Sequence, residues 1–586
     1  MIKGPKIFYV FFIYSPYFVQ APKFGNKPNH LTDYRPKPLT QNTIGAGNQK
    51  SRTRVDLCFA PGHQGSDQSH QIKRCRISDQ THQTLHQATG HPQFRIPQIR
   101  ESRFRRVGLF YNKGLLHFPP TENNNYNLQM SFEEIKLATQ NFSRENLIGG
   151  GGFGKVFKGE ITHGNESTTI IAKRLDRSQG QGEHHFLMEL EILFEYKHEN
   201  IIGLVGYCNE NDEKIIVYEH ASNRSLDRCL NDVNLTWTKR LNICIDIAHG
   251  LAFLHGGAST KEMVIHRDIK SANILLNGDW KAKISDFGLS AITAINQEVI
   301  SKLVGTISYV DPQYEYTGFF TEKSDIYSLG VVLFEILYGR LLVPETKDYD
   351  QQHVTRILKQ ILEEEKLGSI VFEGIKEQID PESLSTFRVI VSECLYNDRK
   401  ERPTAEHVSQ QLEKSLEFQE DYEIWGPKLP EDYEEILKLS KSPGISHSSA
   451  KKKHLYNLFS EGILLQDGKV WFWLGSNGER NEMISARKFS YRNRSLHKWS
   501  VVSESRFKKV AEILDISNLM IKIKTRTHFL SPATVYGVHL VFKFCDFKGV
   551  SKNPMYVDLK YRKGRKTLHA YFAKWRDNEW MMLREE

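Results

Sequence analysis

Cysteine is scarce and unpatterned in this chain of 586 residues. The seven cysteines (Cys58, Cys75, Cys208, Cys229, Cys244, Cys394 and Cys545) are odd in number, and none stands in a CxxC pair or at metal-finger spacing. That excludes a disulfide scaffold and a thiolate zinc site, and it points to reduced, mostly buried thiols in an intracellular setting. Long apolar runs are lacking too. The first one, Ile7 to Val19, contains Ser15 and Pro16 and falls well short of the ~20 residues of a membrane span. It follows Lys3 and Lys6 and ends at Val19-Gln20-Ala21, a faint resemblance to a secretory signal that its composition weakens. No later segment could span a membrane, and no nucleic-acid recognition motif occurs.

What is present is a charge division. Residues 1 to 120 carry 18 Lys+Arg against 5 Asp+Glu, residues 445 to 586 carry 27 against 13, and the middle keeps 34 against 52. Two basic flanks around an acidic centre favour separate modules, and the flanks read as solvated basic surface rather than a nucleic-acid site. At 39% hydrophobic and 25% charged residues most of the chain should fold, and its length calls for several units.

From Ala21 to Asn125 the sequence is rich in Gln, His, Asn, Pro and Arg, and its few apolar residues keep neither a 3.6 nor a 2.0 period; residues 1–125 are read as a disordered basic region. At Ser131 the character changes. Ser131 and Glu134 have capping-box spacing, and Ile135, Ala138 and Phe142 fall on one helical face, so an ordered domain begins here.

Gly149, Gly151 and Gly154 then spell GxGxxG, with Val156 two residues later. Glycine lets a backbone come within hydrogen-bond reach of phosphate oxygens where a Cβ would stand in the way. Alone the motif is weak, and a flexible turn is the alternative. Here an apolar strand, Ile170-Ile171-Ala172, ends in Lys173, a spacing that fits a phosphate-covering hairpin rather than a Rossmann crossover. Lys173 needs a carboxylate to hold its ammonium, and the next helical segment, FLMELEILFEYKH, offers Glu189 and Glu191. Further on, VIHRDIKSANILL places Asp268 five residues before Asn273, and Ile284-Ser285-Asp286-Phe287-Gly288 supplies another acid. One carboxylate to orient a hydroxyl, with an amide oxygen and a second acid to hold a metal on a nucleotide, is what phosphoryl transfer requires.

The stretch MSFEEIKLATQNFSRENLIGGGGFGKVFKG, from Met130 to Gly159, resembles the entry into plant receptor-like kinases, and the resemblance runs to about Phe418. It implies a bilobal protein kinase fold over residues 131–418, binding ATP and Mg²⁺. Within it, Ile148, Gly149, Gly151, Gly154, Val156, Ala172 and Lys173 would line the nucleotide, the backbones of Glu219 and Ala221 would receive adenine, and Tyr218 would border the back of the pocket. The resemblance selects Glu189 as the partner of Lys173 and leaves Glu191 as a solvated carboxylate. Asp268 would accept the hydrogen bond of the substrate hydroxyl, Lys270 would stabilise the transferring phosphoryl, and Asn273 and Asp286 would bind the metal. Lys270, two positions after Asp268, and Thr306 mark the serine/threonine class.

Arg267 beside Asp268 implies control by phosphorylation of the loop that follows Gly288, with Ser301 and Thr306 preferred over Thr293 and Ser308. Asp325 is expected to cap a helix at about Ile326 to Leu337 and to bond the backbone of the Asp268 loop. Two departures stand out. Asp311-Pro312-Gln313 has Gln where the family has Glu, with Arg402 as the expected partner, and Ser308 stands where Gly is common. They motivate an alternative reading as a catalytically weak scaffold.

Residues 419–450 read as a linker holding one short acidic helix near Tyr433 to Leu439, and Lys451-Lys452-Lys453 follow it. The stretches Val470 to Leu474, Leu519 to Ile523 and Val538 to Phe544, with a turn at Asn477-Gly478, indicate an antiparallel sheet. ISARKFSYRNRSLHKWSVVSESRFKKVAEIL and SPATVYGVHLVFKF resemble the phloem protein 2 family, related to plant lectins, which implies a β-sandwich over residues 455–586. An aromatic position of that family falls near Asn493, leaving Tyr491 and Trp499 to stack on a sugar; a core role for Trp499 is the alternative. The last strand, after Trp580, is expected to be shortened or missing. The resemblances together imply an α+β chain with protein substrates, an upstream receptor kinase, and a glycan or protein ligand for its C-terminal module. Its location would be cytoplasmic, with peripheral contact at the plasma membrane. A carbohydrate sensor is the third reading.

Overall fold

A computed structural model describes residues 7–16, 110–112, 115–117, 128–440 and 451–514, except 152–153, 165, 177–181, 211, 258–261, 296, 343–369, 492–496 and 503–504; beyond 514 it describes short strands and Ser531. Most of Ala21 to Asn125, the Ser cluster before Ala450, Asn493, and Cys58, Cys75 and Cys545 lie outside these residues.

The disorder expected of residues 1–125 does not hold for Ile7–Pro16, which form strand β1. A run of β-branched and aromatic residues has strong strand propensity, and this one finds ladders on both sides, antiparallel to Arg480–Ser485 and to Tyr536–Phe544. The segment that resembled a signal peptide is thus a strand of the C-terminal sheet. Phe110–Asn112 and Leu115–His117 make a small antiparallel ribbon.

Helix α1, Phe132–Ala138, opens on the anticipated capping box, with Ser131 accepting from the Glu134 N–H and Glu134 accepting from the Ser131 N–H. It packs on an antiparallel sheet of five strands: β2 (Leu147–Gly151), β3 (Gly154–His163), β4 (Glu166–Leu175), β5 (Leu204–Glu210) and β6 (Glu213–Glu219), in spatial order β2-β3-β4-β6-β5. Ile135 meets Ile170, Ala172, Ile215 and Val217 on that face. Helix α2, Gly182–Glu195, follows β4.

The second lobe is helical: α3 (Trp237–Ala252), α4 (Pro312–Thr317), α5 (Glu322–Tyr338), α6 (Pro381–Cys394) and α7 (Ala405–Trp425). Every residue of α5 from Ser324 to Leu337 is buried. An all-round apolar helix belongs in the middle of a lobe, and α5 accordingly becomes the post on which the site loops hang. Two polar side chains inside it, Asp325 and Glu335, each have work to do there. No helix among the described residues is long and apolar enough to cross a membrane.

Beyond α7, helix α8 (Tyr433–Lys438) and helix α9 (Lys452–Glu461) precede a sheet of nine described strands whose pairings are antiparallel. Its path runs Ile463–Leu465, Val470–Leu474, Arg480–Ser485, β1, Tyr536–Phe544, Trp580–Leu583 and Trp575–Arg576. Val510–Ile513 joins it between β1 and His497–Ser500. Gly478 takes a positive φ of 78° in the expected turn. Of the run Leu519 to Ile523, only Ile521–Lys522 is a described strand, and it pairs with Ser490–Tyr491.

Candidate active site

Strands β3 and β4 carry one wall of the site. Their register sets Val156 opposite Lys173 and Phe157 opposite Ala172. Because side chains alternate across a sheet, Lys173, Val156 and Ile171 share one face. Ala172 belongs to the other, fully buried among the residues that meet α1. Ala172, expected to line the nucleotide, thus turns its side chain to the other face: side chains of one strand face recur at every second residue, so Ile171 is the neighbour that shares the face of Lys173. The period of two in Ile170 to Lys173 was the signal that could have found it. Ile148 is exposed on β2, and Gly151 ends that strand opposite Gly154.

The glycines differ in what demands them. Gly154 has φ +133°, and a Cβ there would stand 2.2 Å from the Arg174 carbonyl oxygen, so the hairpin itself requires glycine. At Gly149 a Cβ would meet only Val156, at 3.8 Å. Packing makes no demand there, and the open side is the one a phosphate would approach.

Lys173 Nζ lies 2.9 Å from Glu189 Oε2 and 2.6 Å from Asp286 Oδ1. Burial alone would lower its pKa, but the two carboxylates outweigh burial and hold the ammonium above its ordinary value. Burial likewise opposes ionisation of Asp286, and the Lys173 ammonium overrides it, keeping that carboxyl below the usual range. Glu189 also accepts from the Tyr218 hydroxyl (2.8 Å) and the Phe287 N–H (3.3 Å). Glu191, expected in solvent, is buried as well. At the lobe junction the Glu219 N–H is donated to the Gly203 carbonyl, and the Ala221 carbonyl accepts from the Arg224 N–H.

The Asp268 loop hangs from α5. Asp325 accepts from the His266 N–H (2.7 Å) and the Arg267 N–H (2.8 Å), which sustains the left-handed φ of 71° at Arg267. It is not the cap that was expected: the helix starts earlier, at Glu322, with Thr321 as N-cap. Asp268 is buried at the centre. Its Oδ1 accepts from the Thr306 N–H (3.0 Å) and hydroxyl (2.8 Å), and its Oδ2 lies 3.1 Å from Asn273 Nδ2 and 2.8 Å from Lys270 Nζ. Lys270 in turn donates to the Thr306 hydroxyl at 2.9 Å. Gly305 permits this closeness, since a Cβ there would lie 2.6 Å from the Arg267 carbonyl oxygen.

Asn273 turns its Nδ2 toward Asp268, and Asp286 uses Oδ1 on Lys173. Neither Asn273 Oδ1 nor Asp286 Oδ2 has a hydrogen bond among the described residues. Two hard oxygens of this kind suit a cation that takes its remaining ligands from phosphate and water. No cluster of three or more His, Cys, Asp or Glu that could hold a metal occurs among the described residues.

Arg267 reaches Ser301 Oγ (2.9 Å) and the Tyr314 hydroxyl (2.8 Å), and its guanidinium lies 4.1 Å over the Phe320 ring. Of the two preferred hydroxyls, Ser301 thus faces the cation, whereas Thr306 is engaged by Asp268, where a phosphate would be repelled. Sequence reasoning missed two further groups. Glu335, the lone acid in the apolar second half of α5, accepts from the Ser271 hydroxyl (2.5 Å), the Tyr309 hydroxyl (2.9 Å) and the Leu342 N–H (2.9 Å). Burial pushes its pKa up to about 7. Arg399 joins Arg402 on Asp311, at 3.0 and 2.8 Å, while Gln313 accepts the Arg399 N–H at 3.4 Å. The anticipated pairing of Gln313 with Arg402 is replaced by Asp311 with both arginines.

In the C-terminal module, Trp499 is 42% exposed and is not a core residue. Tyr491 stacks on His497 at 4.1 Å.

The protein kinase domain family matches residues 142–412, and the phloem protein 2 family matches residues 479–584. A probable serine/threonine-protein kinase of Arabidopsis thaliana, PBL26, is 35% identical over 341 residues, covering 53% of this chain and 81% of that protein. Two receptor-like protein kinases of the same plant, FERONIA and HERK 1, are 40% and 38% identical over 298 and 319 residues, covering 50% and 54% of this chain. The chain spans 33% and 38% of the length of those two. With a kinase relative matched over four fifths of its length, the chain belongs to the protein serine/threonine kinase family, and it carries a phloem protein 2 domain after the kinase domain.

Proposed function

We propose that the chain is an ATP- and Mg²⁺-dependent kinase that phosphorylates serine and threonine hydroxyls of proteins in plant signalling, and that its C-terminal module selects location or partner. The observation that carries this is the Asp268 cluster, where one buried carboxylate meets Lys270, Asn273 and Thr306 within 3.1 Å. ATP would supply the phosphoryl group, with Mg²⁺ offsetting its charge. The chain's part is electrostatic preorganisation. Lys173, fixed by Glu189 and Asp286, meets the phosphates of the nucleotide; Gly149, Gly151 and Gly154 let the backbone approach them. Asn273 and Asp286 hold the metal. Asp268 orients the incoming hydroxyl and accepts its hydrogen bond, and Lys270 offsets charge on the transferring group. The Lys270–Thr306 contact supports the Ser/Thr class.

A radiolabelled-ATP assay on the full chain, with Asp268→Asn beside it, tests the proposal. Incorporation into protein serine and threonine should fall by roughly 10²–10⁴ in the variant, and equal incorporation by both proteins would refute the enzyme reading. The scaffold alternative loses its main motive, because Asp311 already neutralises the arginines that Gln313 was expected to serve. The location proposed is the cytoplasm, in peripheral contact with the plasma membrane, where an upstream receptor kinase could reach Ser301. For the C-terminal module, a lectin-like β-sandwich presenting Trp499 to a glycan is the reading the exposed ring favours. A glycan array on the full chain and on Trp499→Ala tests it, and identical binding by the two proteins would dismiss Trp499.

A further inference from the structure

Helix α7 continues past the matched kinase domain to Trp425, and its last turns carry acids that meet the basic start of α9. Asp421 accepts the N–H groups of Lys452 and Lys453, and thereby caps α9 from a different helix; Lys451, at the N-cap position, makes no side-chain cap. Lys452 Nζ sits 3.6 Å from Asp380 Oδ2 and 3.2 Å from the Tyr433 hydroxyl. That Asp380 oxygen is buried and has no hydrogen-bond partner, so Lys452 is the cation that answers it. Lys451 pairs with Glu417 at 3.0 Å. Under these polar contacts lies an apolar floor. Leu429, Ile436 and Leu437, from the stretch that read as a linker, pack with Leu455 and Phe459 of α9 and with the sheet residue Phe472. The Trp425 and Tyr456 rings meet at 5.2 Å.

We propose that the end of α7 is a docking surface whose occupants are residues 428–440 and 451–461 of the same chain, and that these described residues form a rigid coupling. The C-terminal module then does not swing on a tether. A ligand held by that module fixes the orientation of the kinase domain, and Lys451 and Lys452 of the basic triplet serve the interface through their ion pairs. Charge complementarity identifies the occupant: Glu417 and Asp380 meet the side chains of Lys451 and Lys452, and Asp421 takes the backbone N–H groups of Lys452 and Lys453. A helix whose first N–H groups are satisfied from outside also needs that outside partner to stay in place.

Spin labels on an unnatural ketone side chain at the exposed positions Ser385 and Ser476 of the full chain read the distance between the two bodies without reference to phosphorylation. The unaltered chain should give one narrow distance population. Asp421→Lys and Lys452→Glu should each broaden it, and Asp421→Ala should speed amide exchange at the start of α9 on the order of tenfold, the loss expected for a helix cap. Kinase activity of Lys452→Glu should equal that of the parent, since Lys452 touches none of the groups around Asp268. A broad distribution in the unaltered chain overturns the coupling without needing any variant to fold. A narrow distribution unchanged in both variants overturns the assignment to Asp421 and Lys452.

Discussion

Replacing Asp311 by Asn should destabilise the kinase domain more than any single change on the surface of the site loops. The carboxylate is 1% exposed and accepts from Arg402 (2.8 Å), Arg399 (3.0 and 3.2 Å), the Ser324 hydroxyl (2.8 Å) and the Gln313 N–H (2.9 Å). Burial would raise its pKa, yet the two guanidiniums, Arg402 first, hold it below the ordinary carboxylate range. An Asn side chain fills the same space but leaves two guanidiniums in the interior without a counter-charge; breaking a buried pair in this way costs about 3–5 kcal/mol. Against a typical stability of about 5–15 kcal/mol that is a large fraction, and it corresponds to a fall in Tm of about 10 °C. Gln313→Glu is the companion variant. It adds a carboxylate where both arginines are already paired, so its effect should stay within about 1 kcal/mol. Denaturant unfolding of both variants, followed by the loss of helix signal, gives the two values. An Asp311→Asn cost under 1 kcal/mol, or a Gln313→Glu gain of several, would refute the reasoning and return the missing glutamate to importance.

Glu335→Gln should flatten the pH dependence of stability. The folded-state pKa of Glu335, about 7, is raised above its unfolded value by burial; its contribution is therefore complete below about 4.5 and is lost as pH rises through 7, by on the order of 3 kcal/mol. Unfolding at pH 5 and pH 8 should show that loss in the parent and not in the variant. Phosphorylation of Ser301 should raise activity through Arg267, and Arg267→Ala should abolish the difference between phosphorylated and unphosphorylated protein, as read by initial rates after mass-spectrometric confirmation of the site. Thr306→Ala should lower kcat by at least about tenfold through loss of a hydroxyl shared by Asp268 and Lys270, whereas Thr306→Ser should keep most of it; equal rates would deny Thr306 a positioning role.

Sequence by itself determined what depends on residue type and short spacing. The run VIHRDIKSANILL, the glycine motif and Lys173 carry their chemistry in order, because loops and strands of fixed length must deliver particular functional groups. The capping box at Ser131 and the antiparallel character of the C-terminal module were likewise legible, since cap and strand preferences are local. Tertiary structure decided the rest. Which face of β4 meets the nucleotide side followed from register with β3, which moved Ala172 out of the site and Ile171 toward it. Asp325 and Glu335 took on their roles because α5 runs through the middle of the lobe, where a carboxylate must find N–H or O–H donors. Asp311 took both arginines because residues 88 and 91 positions away were brought to it. The pairing of Ile7–Pro16 with strands more than 460 residues later, and the capping of α9 by Asp421, depend on contacts that no local pattern encodes. A ladder or a cap needs only a backbone partner at the right distance, and backbone is the same for every sequence.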